Sequence, residues 1–126
     1  MSHQTNVLGT PLQQCGTQPM TGYKRSGYCT ACSGDRGQHT VCATMTAEFL
    51  EFSRSQGNDL VTPRPEFDFP GLASGNSWCL CVSRWIEAHQ AGCAPPLYLE
   101  ATHLSVLEYV DLEILREFAI DSPNNK

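Results

Sequence analysis

Trp78-Cys79-Leu80-Cys81-Val82-Ser83-Arg84-Trp85-Ile86-Glu87-Ala88-His89-Gln90-Ala91-Gly92 is the stretch on which the fold turns, because it admits two readings. Wound as one long helix, Cys79 and Cys81 point about 200° apart and cannot serve one site. As a strand followed by a helix, the two cysteines share one face while Trp78, Leu80 and Val82 fill the other. The second reading is preferred: a strand over 78–82, then Ser83 as N-cap of a helix from Arg84 to about Ala91. That helix buries Trp85, Ile86 and His89, and Gly92 stops it.

Working outward, His39-Thr40-Val41-Cys42-Ala43 is a short β-branched run suited to a strand. Thr46 then caps a helix over 47–56, with Glu48 in its first turn and Met45, Phe49 and Phe52 on one face beside Leu50. Gly57 is its natural C′ residue. Downstream of Pro95-Pro96, Leu97, Leu99 and Ala101 alternate with Tyr98 and Glu100, which predicts a half-buried strand over 96–101. Asp111 is the N-cap of a last helix over 112–119, striped by Leu112, Leu115, Phe118 and Ala119. Between the helix at 47–56 and the stretch at 78 lies an aperiodic run with Pro63, Pro65, Pro70, Gly71 and Gly75. Its Phe67, Phe69 and Leu72 carry enough apolar bulk to predict an ordered wall. The expected architecture is α+β, a small mixed sheet with about three covering helices and long ordered loops in a single domain. A loop-rich lobe over 1–38 precedes the core at 39–119, and a polar tail covers 120–126.

The 126 residues are enough to bury a core without metal or disulfide help. Thirteen carboxylates against eight Lys plus Arg give a formal net charge of −5. The longest basic run is Lys24-Arg25, which argues against nucleic acid as a partner. No apolar stretch approaches the ~20 residues of a membrane span, and no basic-then-apolar leader opens the chain. A soluble cytoplasmic protein with no membrane partner is expected.

Seven cysteines are the main concentration of reactive chemistry. In a reducing cytosol, free thiols or metal thiolates fit better than persistent disulfides, and an odd count leaves one thiol unpaired in a monomer. Pairing cannot be read from spacing. Cys29-Thr30-Ala31-Cys32 has zinc-knuckle spacing but lacks a matching second pair, and incidental loop thiols are the preferred reading. His39 and Cys42, three apart, face opposite sides of a regular strand, so either the strand is irregular or only one belongs to a site. Cys42 reads as a buried core thiol. Glu100, Thr102 and His103 gather a carboxylate, a hydroxyl and an imidazole after a strand end, the inventory of a proton-transfer site and equally of a capped turn. Arg64, held between two prolines, and Arg84, near a helix start, suit anion recognition.

Asn6-Val7-Leu8-Gly9, Gly37-Gln38-His39-Thr40-Val41-Cys42-Ala43, Gly57-Asn58-Asp59-Leu60 and Thr62-Pro63-Arg64-Pro65 occur in order. Phe69-Pro70-Gly71-Leu72, Trp78-Cys79-Leu80-Cys81, Arg84-Trp85 and Leu99-Glu100-Ala101-Thr102-His103 follow. Together these resemble an uncharacterised, mainly bacterial family, domain of unknown function 2237, over about residues 6 to 119. The resemblance implies membership and no activity. It implies family cysteines at Cys15, Cys29, Cys42, Cys79 and Cys81 and histidines at His39 and His103. Cys32 and Cys93 lie outside that pattern, as do Gln18 and Asn76, where it tends to carry aspartate.

Three functions remain open. The leading one is a module binding a small molecule or protein partner, its site built by the loop Gly57 to Leu72 and the turn after Ala101. Arg64, Arg84, Glu100, Thr102 and His103 are its contacts. The second is a zinc or other soft-metal protein using some of Cys15, Cys29, His39, Cys42, Cys79, Cys81 and His103, with Cys79, Cys81, His39 and Cys42 foremost, since thiolates and imidazole suit zinc. The third is a thiol-dependent enzyme with Cys42, Cys79 or Cys81 as nucleophile and His39 or His103 as base.

Overall fold

Six residues from His39 to Thr44 form strand β1, which pairs antiparallel with β2, Ser77–Cys81. The structure is a computed structural model, and it describes residues 4–17, 20–23, 25–67 and 69–121. The polar tail beyond Asp121 and Gln18 lie outside the described residues. Alternation on the ribbon separates two apolar clusters. Val41, Ala43, Trp78 and Leu80 join the main core with Phe49, Trp85, Leu97, Leu99, Val106 and Leu115. Cys42 and Cys79, directly opposed in register, belong instead to a small cluster with Cys29 and Ala101.

Helix α1, Ala47–Ser55, starts where its cap dictates: Thr46 Oγ1 accepts the Phe49 N–H at 3.0 Å. Helix α2, Val82–Gln90, begins two residues earlier than the sequence suggests, with Cys81 rather than Ser83 at its N-cap. The strand accordingly ends at Cys81, and Val82 opens the helix as a core residue. Trp85 is fully buried, and its indole N–H donates to the Pro95 carbonyl at 3.0 Å. Helix α3 runs from Leu112 to Glu117 behind Asp111. No helix among the described residues is long and apolar enough to cross a membrane.

The expected third strand over 96–101 does not form. Leu97 bridges Ala43 antiparallel and Ala119 in parallel, and Leu99–Ala101 is a single 3-10 turn. The ladder to β1 stops after the Tyr98 N–H bond to the Cys42 carbonyl, and beyond it the Asp121 carboxylate accepts the N–H groups of Leu99 and Glu100, at 2.7 and 3.0 Å. Leu97, Leu99 and Ala101 are nonetheless all buried, as their alternation predicts.

The proline-rich wall is ordered. Arg64 bridges Phe69 across a 3-10 turn at Pro65–Phe67, and Leu60, Phe69 and Leu72 insert into the core. Asp59 caps its entry by accepting from Val61 N–H, Thr62 N–H and the Thr62 hydroxyl. These bonds, the Thr62 hydroxyl first, hold the Asp59 carboxyl below its ordinary range. Gly71, at φ +84°, lies against the Val61 carbonyl, where a Cβ has no room.

Candidate functional site

At the open end of the ribbon, register and not proximity in sequence assembles the site. His39 opposes Cys81, but Val41 opposes Leu80, so Thr40 is an extra residue and β1 bulges there. The bulge resolves the parity problem of His39 and Cys42, because it sets His39 across from Cys81. Opposed residues in an antiparallel pair share a face. Both line a cleft of 530 Å³.

The imidazole is held from behind. Asp35, almost fully buried, meets His39 Nδ1 at 2.7 Å through Oδ1 and accepts the His39 backbone N–H at 2.8 Å through Oδ2. Tyr23 stacks on the ring with centroids 6.3 Å apart. Gly37 packs against the ring edge, where a Cβ would meet Cε1 at 2.8 Å. Cys81 is a half-buried free thiol at the start of α2, and its sulfur lies 3.2 Å from the Ser83 hydroxyl.

Arg25, Arg64 and Arg84 also line the cleft, along with Phe67, Phe69 and Trp78. Arg25 lies over the Trp78 ring at 5.0 Å. Arg84 is tied to Glu87 at 3.2 Å and donates to the Gln56 carbonyl. Asp59 is the one carboxylate among the described lining residues, so three guanidinium groups outnumber it and an acidic protein presents a net cationic cleft. The sequence singled out His39, Cys81, Arg64 and Arg84, which the fold brings together, but missed Asp35, Tyr23 and Arg25. The available signal was Asp35 four residues before His39, in the glycine-flanked turn Gly34-Asp35-Arg36-Gly37.

The other candidates lie elsewhere. Thr102 is buried, donating to the Tyr98 carbonyl and accepting the Cys42 N–H, so its hydroxyl is structural. Glu100 lines a separate 370 Å³ hollow with Tyr98 and Asp121. His103 caps the 3-10 turn Leu104–Glu108, its Nδ1 accepting the Ser105 N–H at 3.0 Å. These three do not form a proton-transfer group facing the cleft.

Burial depresses His103 below its ordinary 6.5. The folded chain therefore binds this proton less readily than the unfolded chain, and stability falls as pH drops from about 6.5 through the folded value. Stability is full above that window. Asparagine in His103→Asn keeps an acceptor for Ser105 but cannot titrate. Urea midpoints measured from pH 7.5 to 5 should fall less steeply for the variant; equal slopes would remove His103 from the acid response.

The expectation of unpaired thiols gives way to two disulfides, Cys15–Cys42 and Cys29–Cys79, with Cα atoms 5.6 and 5.2 Å apart. Cys42 and Cys79 are thereby corrected as nucleophiles, since both are buried and bonded. Bonded as they are, neither offers a free thiolate to a zinc ion beside Cys81 and His39 in this oxidised form. Among the described residues, the group with metal-ligand spacing is Cys15, Cys29 and Cys79, whose sulfurs all lie within 4.8 Å of one another. Cys32 and Cys93 join Cys81 as free thiols.

Residues 5–119 match the family described as "Uncharacterized protein conserved in bacteria (DUF2237)". The chain belongs to this family. No curated protein matches it. The five cysteines that the family resemblance implied are thus, in this DUF2237 chain, the four bridged ones and the cleft thiol.

Proposed function

We propose that this DUF2237 protein is a thiol-dependent enzyme acting on a small anionic molecule. Cys81 is the nucleophile, His39 the base, and Asp35 the residue that positions His39. The observation that carries the reading is the cross-strand opposition of Cys81 and His39 in a cationic cleft, with the imidazole already held by a buried carboxylate. A thiol and an imidazole act together when a third group fixes the base. Asp35 favours the tautomer with its proton on Nδ1, which leaves Nε2 to accept the Cys81 proton.

The N-terminus of α2 supports the same assignment, because the positive end of a helix dipole favours an anion at Sγ and on a reacting oxygen. Arg25, Arg64 and Arg84 supply charge for a carboxylate or phosphate on the substrate, while Phe67, Phe69 and Trp78 offer it an apolar wall. The ligand-binding role expected of the loop from Gly57 to Leu72 is kept. Its partner is the ribbon end, not the turn after Ala101.

Timed alkylation with iodoacetamide, read by peptide mass spectrometry at pH 7, tests the assignment. Cys81 should label at least tenfold faster than Cys32 or Cys93, and His39→Gln or Asp35→Asn should slow it by a similar factor. Burial and the Glu48 carboxylate raise the Cys93 thiol, which makes it a slow internal reference. Uniform slow labelling, or rates indifferent to His39, would sink the enzyme reading.

A further inference from the structure

We propose a second site, independent of the cleft chemistry: when reduced, Cys15, Cys29, Cys42 and Cys79 hold one zinc ion as a tetrathiolate, and oxidation exchanges the ion for the two disulfides. Four separate chain segments deliver these residues to one point. Cys42 and Cys79 are opposed across the ribbon, Cys29 packs beside them, and Cys15 approaches from the N-terminal segment. The sulfurs of Cys15, Cys29 and Cys79 are within 4.8 Å of one another, and the fourth sulfur is bonded to that of Cys15.

Zinc–thiolate bonds of about 2.3 Å place tetrahedral sulfurs about 3.8 Å apart. Of the six sulfur–sulfur edges, the two bonded pairs open on reduction. Cys15–Cys29 and Cys15–Cys79, already within 4.8 Å, contract slightly, and the two edges from Cys42 close as its sulfur, freed from Cys15, turns toward Cys29 and Cys79. Cys29, Cys42 and Cys79 are 0%, 0% and 1% exposed, and Cys15 is half-buried, so the group is shielded and closed, as a structural zinc site requires. Soft thiolates alone select zinc over harder cations. In a reducing compartment the disulfides would not persist, and four clustered thiols are then the available ligands.

The exchange balances with a peroxide as oxidant. Each thiolate pair gives up two electrons and forms one S–S bond. Each hydrogen peroxide takes two electrons and two protons and leaves as two waters. Two peroxides therefore convert one zinc tetrathiolate into two disulfides and release one Zn²⁺.

The test uses full-length chain reduced anaerobically and titrated with Co²⁺ as a spectroscopic probe, then with Zn²⁺ followed by elemental analysis. About one metal per chain is expected, with the absorption of tetrahedral cobalt tetrathiolate. Hydrogen peroxide should release the zinc while two disulfides appear by mass. The double variant Cys29→Ser/Cys79→Ser should lose the metal, whereas Cys81→Ser should keep it. A cobalt spectrum without thiolate character, or metal lost with Cys81→Ser, would overturn the assignment. The wild-type titration decides the question even if the double variant fails to fold.

Discussion

Replacing Trp85 with alanine should cost about 3–5 kcal/mol of folding stability, the range for removing a large buried aromatic side chain. Trp85 is fully buried at the centre of the main core. Its ring stacks on His89 at 5.4 Å and meets the Phe118 edge at 5.4 Å, so one side chain joins α2 to the segment just after α3. Truncation also leaves the Pro95 carbonyl without its indole donor. Urea unfolding should show a midpoint lowered by about 2 M at an unchanged slope. Trp85→Phe keeps an aromatic ring against His89 and Phe118 but loses the N–H bond and part of the ring volume, at about 1–3 kcal/mol, less than alanine. If alanine moved the midpoint by less than about 0.5 M, Trp85 would not be the keystone of the core.

The second large effect concerns the bridges. Cys15–Cys42 and Cys29–Cys79 close loops of 27 and 50 residues, and they overlap in sequence. Chain-entropy arguments give about 3.5 kcal/mol for the shorter loop and about 4 for the longer, with less than the sum for both because each already restricts the other. Oxidised protein should therefore unfold at clearly higher urea than protein reduced in the presence of a chelator. Restoring zinc to the reduced form should recover much of the difference, since a ligand bound only by the folded chain stabilises it. Oxidised and reduced metal-free midpoints within about 1 kcal/mol of each other would mean that the hydrophobic core alone sets stability, which a chain of this length can manage.

Local signals were legible in proportion to how local their physics is. Thr46 and Gly57 bounded α1 because caps are satisfied within a turn of the helix they close. The β2-to-α2 switch followed from hydrophobic parity, although the helix starts at Val82 instead of Arg84. The strand over 96–101 failed for the opposite reason. Its alternation was real, but Asp121 captures the N–H groups that a strand would have needed. A competitor more than twenty residues away leaves no trace in a local pattern.

By itself, the sequence determined the α+β class, the family, the places of the three helices and the short list of reactive side chains. Tertiary structure alone decided which of them meet. The extra residue at Thr40 turned His39 toward Cys81, the ribbon register set Cys42 against Cys79, and the proline-rich wall swung Arg64 to the same cleft. Periodicity reports which face a residue takes along its own element. Pairing between elements is fixed by register, bulges and core packing, and those are properties of the folded chain as a whole.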